Sequence, residues 1–400
     1  MTEYISKLYQ ISKKEKKKVI GLMSGTSLDG LDIALCEIEG NGKHTQIKLL
    51  EFQTIPYEIA FRDEIKKIIS TKQADLALLC QLNAQIGSTH ARMINDSLIK
   101  WNVANNEIDF IASHGQTIFH APCNSNNNSK GFNSTLQIGD GDHIAVKTGI
   151  ITICDFRQKH IAAGGEGAPL VTYGDYLLFS KKEKNRILLN IGGIANFTFI
   201  PADANFNDII SSDIGPGNLL MDIMIQNKYP DKTYDHDAEI AEKGTVNDDL
   251  LFLLLSHPYF QIKSPKTTGA ELFNKDYVFN AMNKSNTMNI AFEDLMATLN
   301  RFTAVSICDA FQKLNFGGTE TELFISGGGM HNPLLLSYIQ KNIPGITMKK
   351  FDTEYFNPDA KESVLFAVLA NETISGNKNN FDNGNPSMPN ISMGKICFPL

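Results

Sequence analysis

No stretch of this chain approaches the ~18 consecutive apolar residues that a membrane span needs; the densest run, Leu250–Leu255, is far shorter. Residues 1–18 hold no apolar core of the kind a secretory signal carries. The six cysteines (Cys36, Cys80, Cys123, Cys154, Cys308 and Cys397) include no C-x-x-C pair, which favours reduced thiols over a disulfide framework or a zinc site. These absences predict a cytoplasmic protein. There is no G-x-x-x-x-G-K-[ST], which excludes a Walker phosphate loop, and no H-E-x-x-H. His114 with His120, and Asp140 with Asp142 and His143, also lack the spacing of a caged transition metal. Basic residues are outnumbered 37 to 44, for a net charge of −7, so no nucleic-acid partner is expected and an anionic ligand needs a local array of donors. The basic run Lys13–Lys18 reads as a solvated lead-in to the first strand.

The bulk composition is that of a folded globular protein, 42% hydrophobic and 20% charged, and 400 residues exceed most single cores. Two domains are therefore expected. Strand-like runs alternate with helical apolar spacing over 59–70, 74–101, 246–256, 290–314, 333–342 and 361–374, predicting mixed α/β layers. Asparagine-rich stretches at 124–134 and 377–387 read as surface loops, the first as a flap over a site.

The informative residues sit in glycine-rich turns fed by apolar runs. Lys18–Asp32 passes through Gly25 and Gly30, with Ser24, Thr26, Ser27, Leu28, Asp29, Leu31 and Asp32 around them; Ile187–Asn196 repeats the theme with Gly192 and Gly193. Glycine lets backbone N–H groups approach an anion, and the Thr26 and Ser27 hydroxyls add donors. Asp29 and Asp32 can hold a Mg²⁺, directly or through water. Two such turns suit a phosphotransferase gripping a triphosphate from both sides, although a hairpin needs a glycine turn in any case.

Asp213 precedes Gly215-Pro216-Gly217 and a helix start, a position open to a general base and equally to a helix cap. Gly327-Gly328-Gly329 suits a ring or phosphate laid against bare backbone, or a tight strand–helix turn. Asp155, Arg157, Lys159 and His160, followed by Gly164–Pro169, read as a charged loop able to clamp a carboxylate. His114 reads as a polar contact lining a cleft.

The run Gly21–Asp32 closely resembles the start of anhydro-N-acetylmuramic acid kinases. The likeness continues, in the family's order, through Ser113-His114-Gly115-Gln116-Thr117, Leu136–Gly139, Asp155-Phe156-Arg157, Ala162–Leu170, Leu189–Asn196, Gly215–Asp222, Thr267-Thr268-Gly269 and Ser326–Leu335, nearly the whole chain. The resemblance implies an α/β, two-domain actin/hexokinase/Hsp70-type fold with ATP and substrate in the interdomain cleft. It places one domain at 1–150, completed by 375–400, and the other at 151–374.

It further implies a bacterial cell-wall recycling kinase, usually dimeric, that opens the 1,6-anhydro bridge with water and phosphorylates O6. On this alignment Asp213 is the general base. Gly25–Asp32 forms the first phosphate loop, Gly192-Gly193 the second, and Gly327-Gly328-Gly329 the nucleoside side. Thr117, Arg157, Lys159 and Glu362 meet the sugar, and Asp29 and Asp32 serve Mg²⁺. Where the family reads D-F-R-R-R-D, this chain has Asp155-Phe156-Arg157-Gln158-Lys159-His160; Lys159 keeps a charge but loses the planar guanidinium fork, and His160 stands where the family has a carboxylate. A plain hexosamine kinase and a nucleotide-gated sugar sensor remain as rival readings.

Overall fold

The computed structural model describes residues 3–123, 131–351, 355–377 and 389–400. The chain forms two compact units, Met1–Leu178 with Tyr355–Leu400, and Phe179–Glu354. Most of the two asparagine-rich stretches, and with them the expected flap, lies outside the described residues.

The first unit runs α1 (Glu3–Lys13), β1 (Lys16–Ser24), β2 (Gly30–Glu39), β3 (Gln46–Pro56), α2 (Ile59–Lys66), α3 (Leu76–Lys100), β4 (Phe110–Ala121), β5 (Ser134–Ile138), α4 (Gly141–Thr148), β6 (Thr152–Cys154), α5 (Phe156–Ala162) and α6 (Val171–Phe179). The second adds β7 (Asn185–Ile191), β8 (Ile194–Ile200), β9 (Ile210–Pro216), α7 (Leu219–Lys228), α8 (Asp248–Leu255), α9 (Lys275–Lys284), α10 (Phe292–Gln312), β10 (Thr321–Ser326), α11 (Pro333–Asn342) and β11 (Ile346–Lys350). The chain then returns to the first unit with α12 (Lys361–Ser375) and β12 (Lys395–Cys397).

Both sheets follow one plan. In the first, β3, β2 and β1 are antiparallel neighbours, and β4 and β6 continue parallel to β1, with β12 on the far edge. In the second, β9, β8 and β7 are antiparallel, and β10 and β11 continue in parallel. Central strands such as β1 are buried on both faces and read as continuous apolar runs, while edge strand β3 alternates exposed and half-buried positions.

Residues 151–178 and 355–374 belong with the first unit, a different division from the one read off the sequence. The cause is packing: α12 lies against β1, β2 and β4, and a Cβ on Gly21 would sit 1.9 Å from the Ser363 carbonyl oxygen, so only glycine admits the helix start there. A second correction concerns Phe156–Ala162, expected as a loop, which forms a short helix entered through Asp155 at φ 55°. Among the described residues no helix is long and apolar enough to cross a membrane.

Candidate active site

In the first unit the turn after β1 is braced from beneath. Ser24 Oγ donates to Gln116 Oε1 at 2.6 Å and accepts from Tyr57 Oη at 2.9 Å, while Gln116 Nε2 donates to the Gly25 carbonyl at 3.2 Å. Leu28 drops its side chain into the core at φ 60°, leaving Thr26, Ser27 and Asp29 exposed at the tip. Leu31 is buried, and Asp32 is half-buried and accepts from Thr54 Oγ1 at 2.5 Å. Desolvation raises the Asp32 carboxyl above its usual range; the Thr54 bond opposes this, and the nearby Asp359 and Asp29 charges add to it. A Cβ on Gly30 would lie 2.2 Å from the Ile55 carbonyl oxygen, so the hairpin needs glycine there for packing.

Beside this turn, Arg157 Nε donates to His114 Nε2 at 2.9 Å and Arg157 NH1 to the Gly167 carbonyl at 2.7 Å. His114 Nδ1 faces the Gly115 carbonyl at 2.9 Å, so its partners assign a neutral ring protonated at Nδ1. Burial, with the Arg157 charge adding, pushes His114 down to about 3. Glu362, at the start of α12, is raised by the protein packed around it, with the Arg157 charge pulling the other way. The Thr117 hydroxyl, half-buried on β4, accepts from Gln137 Nε2 at 3.2 Å. Lys159 is exposed on α5 and makes no hydrogen bond or ion pair with this group.

His160 differs from its expected role in a substrate clamp. It is fully buried, accepts the Gly167 N–H at Nδ1 (2.9 Å) and faces Tyr173 Oη at 3.1 Å. Burial pushes it down to about 4. A buried neutral ring offers no face to a ligand; it shapes the Gly164–Gly167 loop, where a Cβ on Gly165 would sit 2.1 Å from the ring.

In the second unit three predicted turns meet at one end of the sheet, because β7 and β10 are parallel neighbours and β9 runs the same way. The carbonyls of Gly192 and Gly193 accept the N–H groups of Asn218, Gly217 and Leu219 at 2.8–3.1 Å. Gly327, at φ 80°, lies so close to β7 that a Cβ would meet Asn190 Oδ1 at 2.6 Å, and one on Gly329 would meet Ile191 Cγ2 at 2.2 Å. Gly328 faces a cavity of about 660 Å³ shared with Asn218, Asp222, Tyr234, His236 and Asn332. Burial lifts Asp222 to about 6. The sequence reading missed this wall; its one signal is the mixed aromatic and ionisable run Tyr234-Asp235-His236-Asp237.

Asp213 on β9 is half-buried, and its Oδ2 accepts the Thr268 N–H at 2.9 Å. Its own N–H donates to the Lys266 carbonyl at 2.9 Å, so the segment before Gly269 pairs with the strand edge. Desolvation raises the Asp213 carboxyl, the Thr268 bond opposes this, and the Glu271 charge adds to it. The result is a fixed carboxylate with enhanced basicity, the attribute of a general base.

Comparison with known proteins decides the family. The model of the anhydro-N-acetylmuramic acid kinase family matches residues 17–399. The chain belongs to this family. The anhydro-N-acetylmuramic acid kinase of Pseudoalteromonas atlantica is 50% identical over 400 residues, covering 100% of both chains. That of Caldanaerobacter subterraneus subsp. tengcongensis is 39% identical over 396 residues, covering 98% of this chain and 100% of the relative. The strand order repeated in the two units is the actin/hexokinase/Hsp70-type arrangement expected of the family.

Proposed function

We infer that the chain is an ATP-dependent kinase that opens the 1,6-anhydro ring of 1,6-anhydro-N-acetylmuramic acid with water and phosphorylates O6. The products are N-acetylmuramic acid 6-phosphate and ADP, and the role is peptidoglycan recycling and amino-sugar catabolism. The observation that carries this reading is the family match across nearly the whole chain.

The residue roles follow from chemistry. Water is a poor nucleophile, so Asp213 takes its proton as it attacks C1 of the sugar, with Thr268 N–H holding the carboxylate in place. Arg157, fixed by His114 and Gly167, presents its charge to the lactyl carboxylate, and Thr117 and Glu362 serve the hydroxyls; Lys159 adds an exposed cation. The turns at Gly25–Asp32 and Gly192-Gly193 present N–H and hydroxyl donors to phosphate, and Gly327-Gly328-Gly329 lies against the nucleoside in the cavity of the second unit.

When bound, ATP would supply the phosphoryl group, and a Mg²⁺ held near Asp29 and Asp32 would neutralise charge on its phosphates. Asp29 and Asp32 offer hard oxygen donors that fit Mg²⁺. Among the described residues no group of three or more His, Cys, Asp and Glu side chains could cage a metal, so phosphate oxygens and water would complete its shell. The working unit is a homodimer in the cytoplasm with no nucleic-acid partner; mass photometry and cell fractionation check the first two.

The deciding test follows ADP release with the 1,6-anhydro sugar and with open N-acetylmuramic acid, weighing the product. Turnover only with the anhydro sugar, with gain of water and a phosphoryl group, is the expected result. Turnover of the open sugar alone would favour a plain kinase, and ATP binding without turnover of either would favour a sensor.

A further inference from the structure

Two cysteines far apart in sequence come together beside a cavity of about 450 Å³ in the first unit. Cys154 ends β6 and Cys397 ends β12, and their sulfurs lie 3.6 Å apart. The antiparallel register pairs Cys154 with Lys395, so Cys397, two residues on, projects from the same face. Both sulfurs pack under the first residue of α4: a Cβ on Gly141 would meet Cys154 Sγ at 2.6 Å and Cys397 Sγ at 2.9 Å. Both cysteines are half-buried and line the cavity, which also reaches the exposed Cys80.

We propose that Cys154 and Cys397 form a reversible disulfide when the protein meets a hydroperoxide. Cys154 is the attacking sulfur. Either thiol can donate to the other across the 3.6 Å gap; the bond shared with Cys397 and the Gly141 N–H at the helix start favour the Cys154 thiolate, while burial and the nearby Asp155 and Asp140 charges oppose it. The Cys154 thiolate attacks one peroxide oxygen, the O–O bond breaks, and the leaving oxygen takes up the released proton as water, leaving a sulfenic acid. The Cys397 sulfur then attacks the Cys154 sulfur, and the sulfenic oxygen leaves with the remaining proton as a second water. Two thiols and one hydrogen peroxide thus become one disulfide and two waters. β12 is a three-residue edge strand, which can give the small movement that closes 3.6 Å to bonding distance.

The test treats the reduced full-length protein with hydrogen peroxide, caps remaining thiols, and maps non-reduced peptides by mass spectrometry. The expected product is one linked pair, Cys154 with Cys397, two hydrogens lighter and reversed by dithiothreitol. Cys80→Ser should leave the link intact, and Cys397→Ser should stop Cys154 at a sulfenic acid captured by dimedone. Linkage through Cys80 or Cys123, or over-oxidation of Cys154 with no linked peptide, would overturn the proposal. The readout needs no turnover, so it stands apart from the kinase reading.

Discussion

The carboxylate of Asp213 accepts the backbone N–H of Thr268 at 2.9 Å and is partly withdrawn from water. A base needs this compromise: enough hydrogen bonding to fix its direction, and enough desolvation to keep its proton affinity high.

Asp213→Asn keeps the shape and removes the basicity. Turnover of the anhydro sugar should fall by roughly 10²–10⁴-fold, the usual worth of general-base help, while ATP binding measured by calorimetry stays within a few-fold. Near-normal turnover would remove Asp213 from the role.

The Asp213 carboxyl sits above its usual range partly because of the Glu271 charge. As the proposed general base, Asp213 must be deprotonated to act, so activity should be lost as pH falls through the raised pKa. Glu271→Gln removes the repulsion and should move the acid limb of the kcat profile to lower pH. A limb that does not move would show that another group sets it.

Arg157→Lys keeps a charge but cannot make both the bond to His114 and the bond to the Gly167 carbonyl. Loss of a charged hydrogen bond costs about 1.5–3 kcal/mol, so KM for the anhydro sugar should rise roughly 10–100-fold. KM for ATP should hardly change; an equal rise in both would point to general unfolding of the site.

Chelation with EDTA should abolish turnover and added Mg²⁺ restore it. Asp29→Asn and Asp32→Asn should each raise the Mg²⁺ needed for half-maximal rate by roughly tenfold or more, the scale on which outer-shell partners tune metal affinity. An unchanged requirement in both variants would place the ion elsewhere.

His160→Ala leaves the Gly167 N–H without its acceptor and should cost about 1–3 kcal/mol in urea unfolding at neutral pH. Folded His160 has its pKa lowered from 6.5 to about 4, so its contribution is present above 6.5 and lost as pH falls toward 4. The gap between wild type and variant should narrow over that window by up to about 1.4 kcal/mol per pH unit. A gap that is constant with pH would mean that the ring is not buried neutral.

Local patterning made much of the chain legible. The β1–β2 and β7–β8 hairpins, α3, α10 and α11 were each visible as a matched apolar period next to a turn or capping residue; Asp75, for example, caps α3 by accepting from the N–H groups of Ala77 and Leu78. Strand β3 escaped notice because an edge strand keeps polar residues along much of its length. Helix α5 was hidden because Phe156–Ala162 is too short for an apolar period to show.

By itself the sequence determined the family, the mixed α/β class and the make-up of the glycine-rich turns, since glycine spacing and adjoining hydroxyls and carboxylates are written contiguously along the chain. Only the tertiary structure decided that α12 packs on the first sheet, that His160 supports a loop instead of facing a ligand, that Thr268 holds Asp213, and that Cys154 lies beside Cys397. Each of these depends on partners brought together by the folded chain, some more than 200 residues apart, and on a burial that no local pattern records.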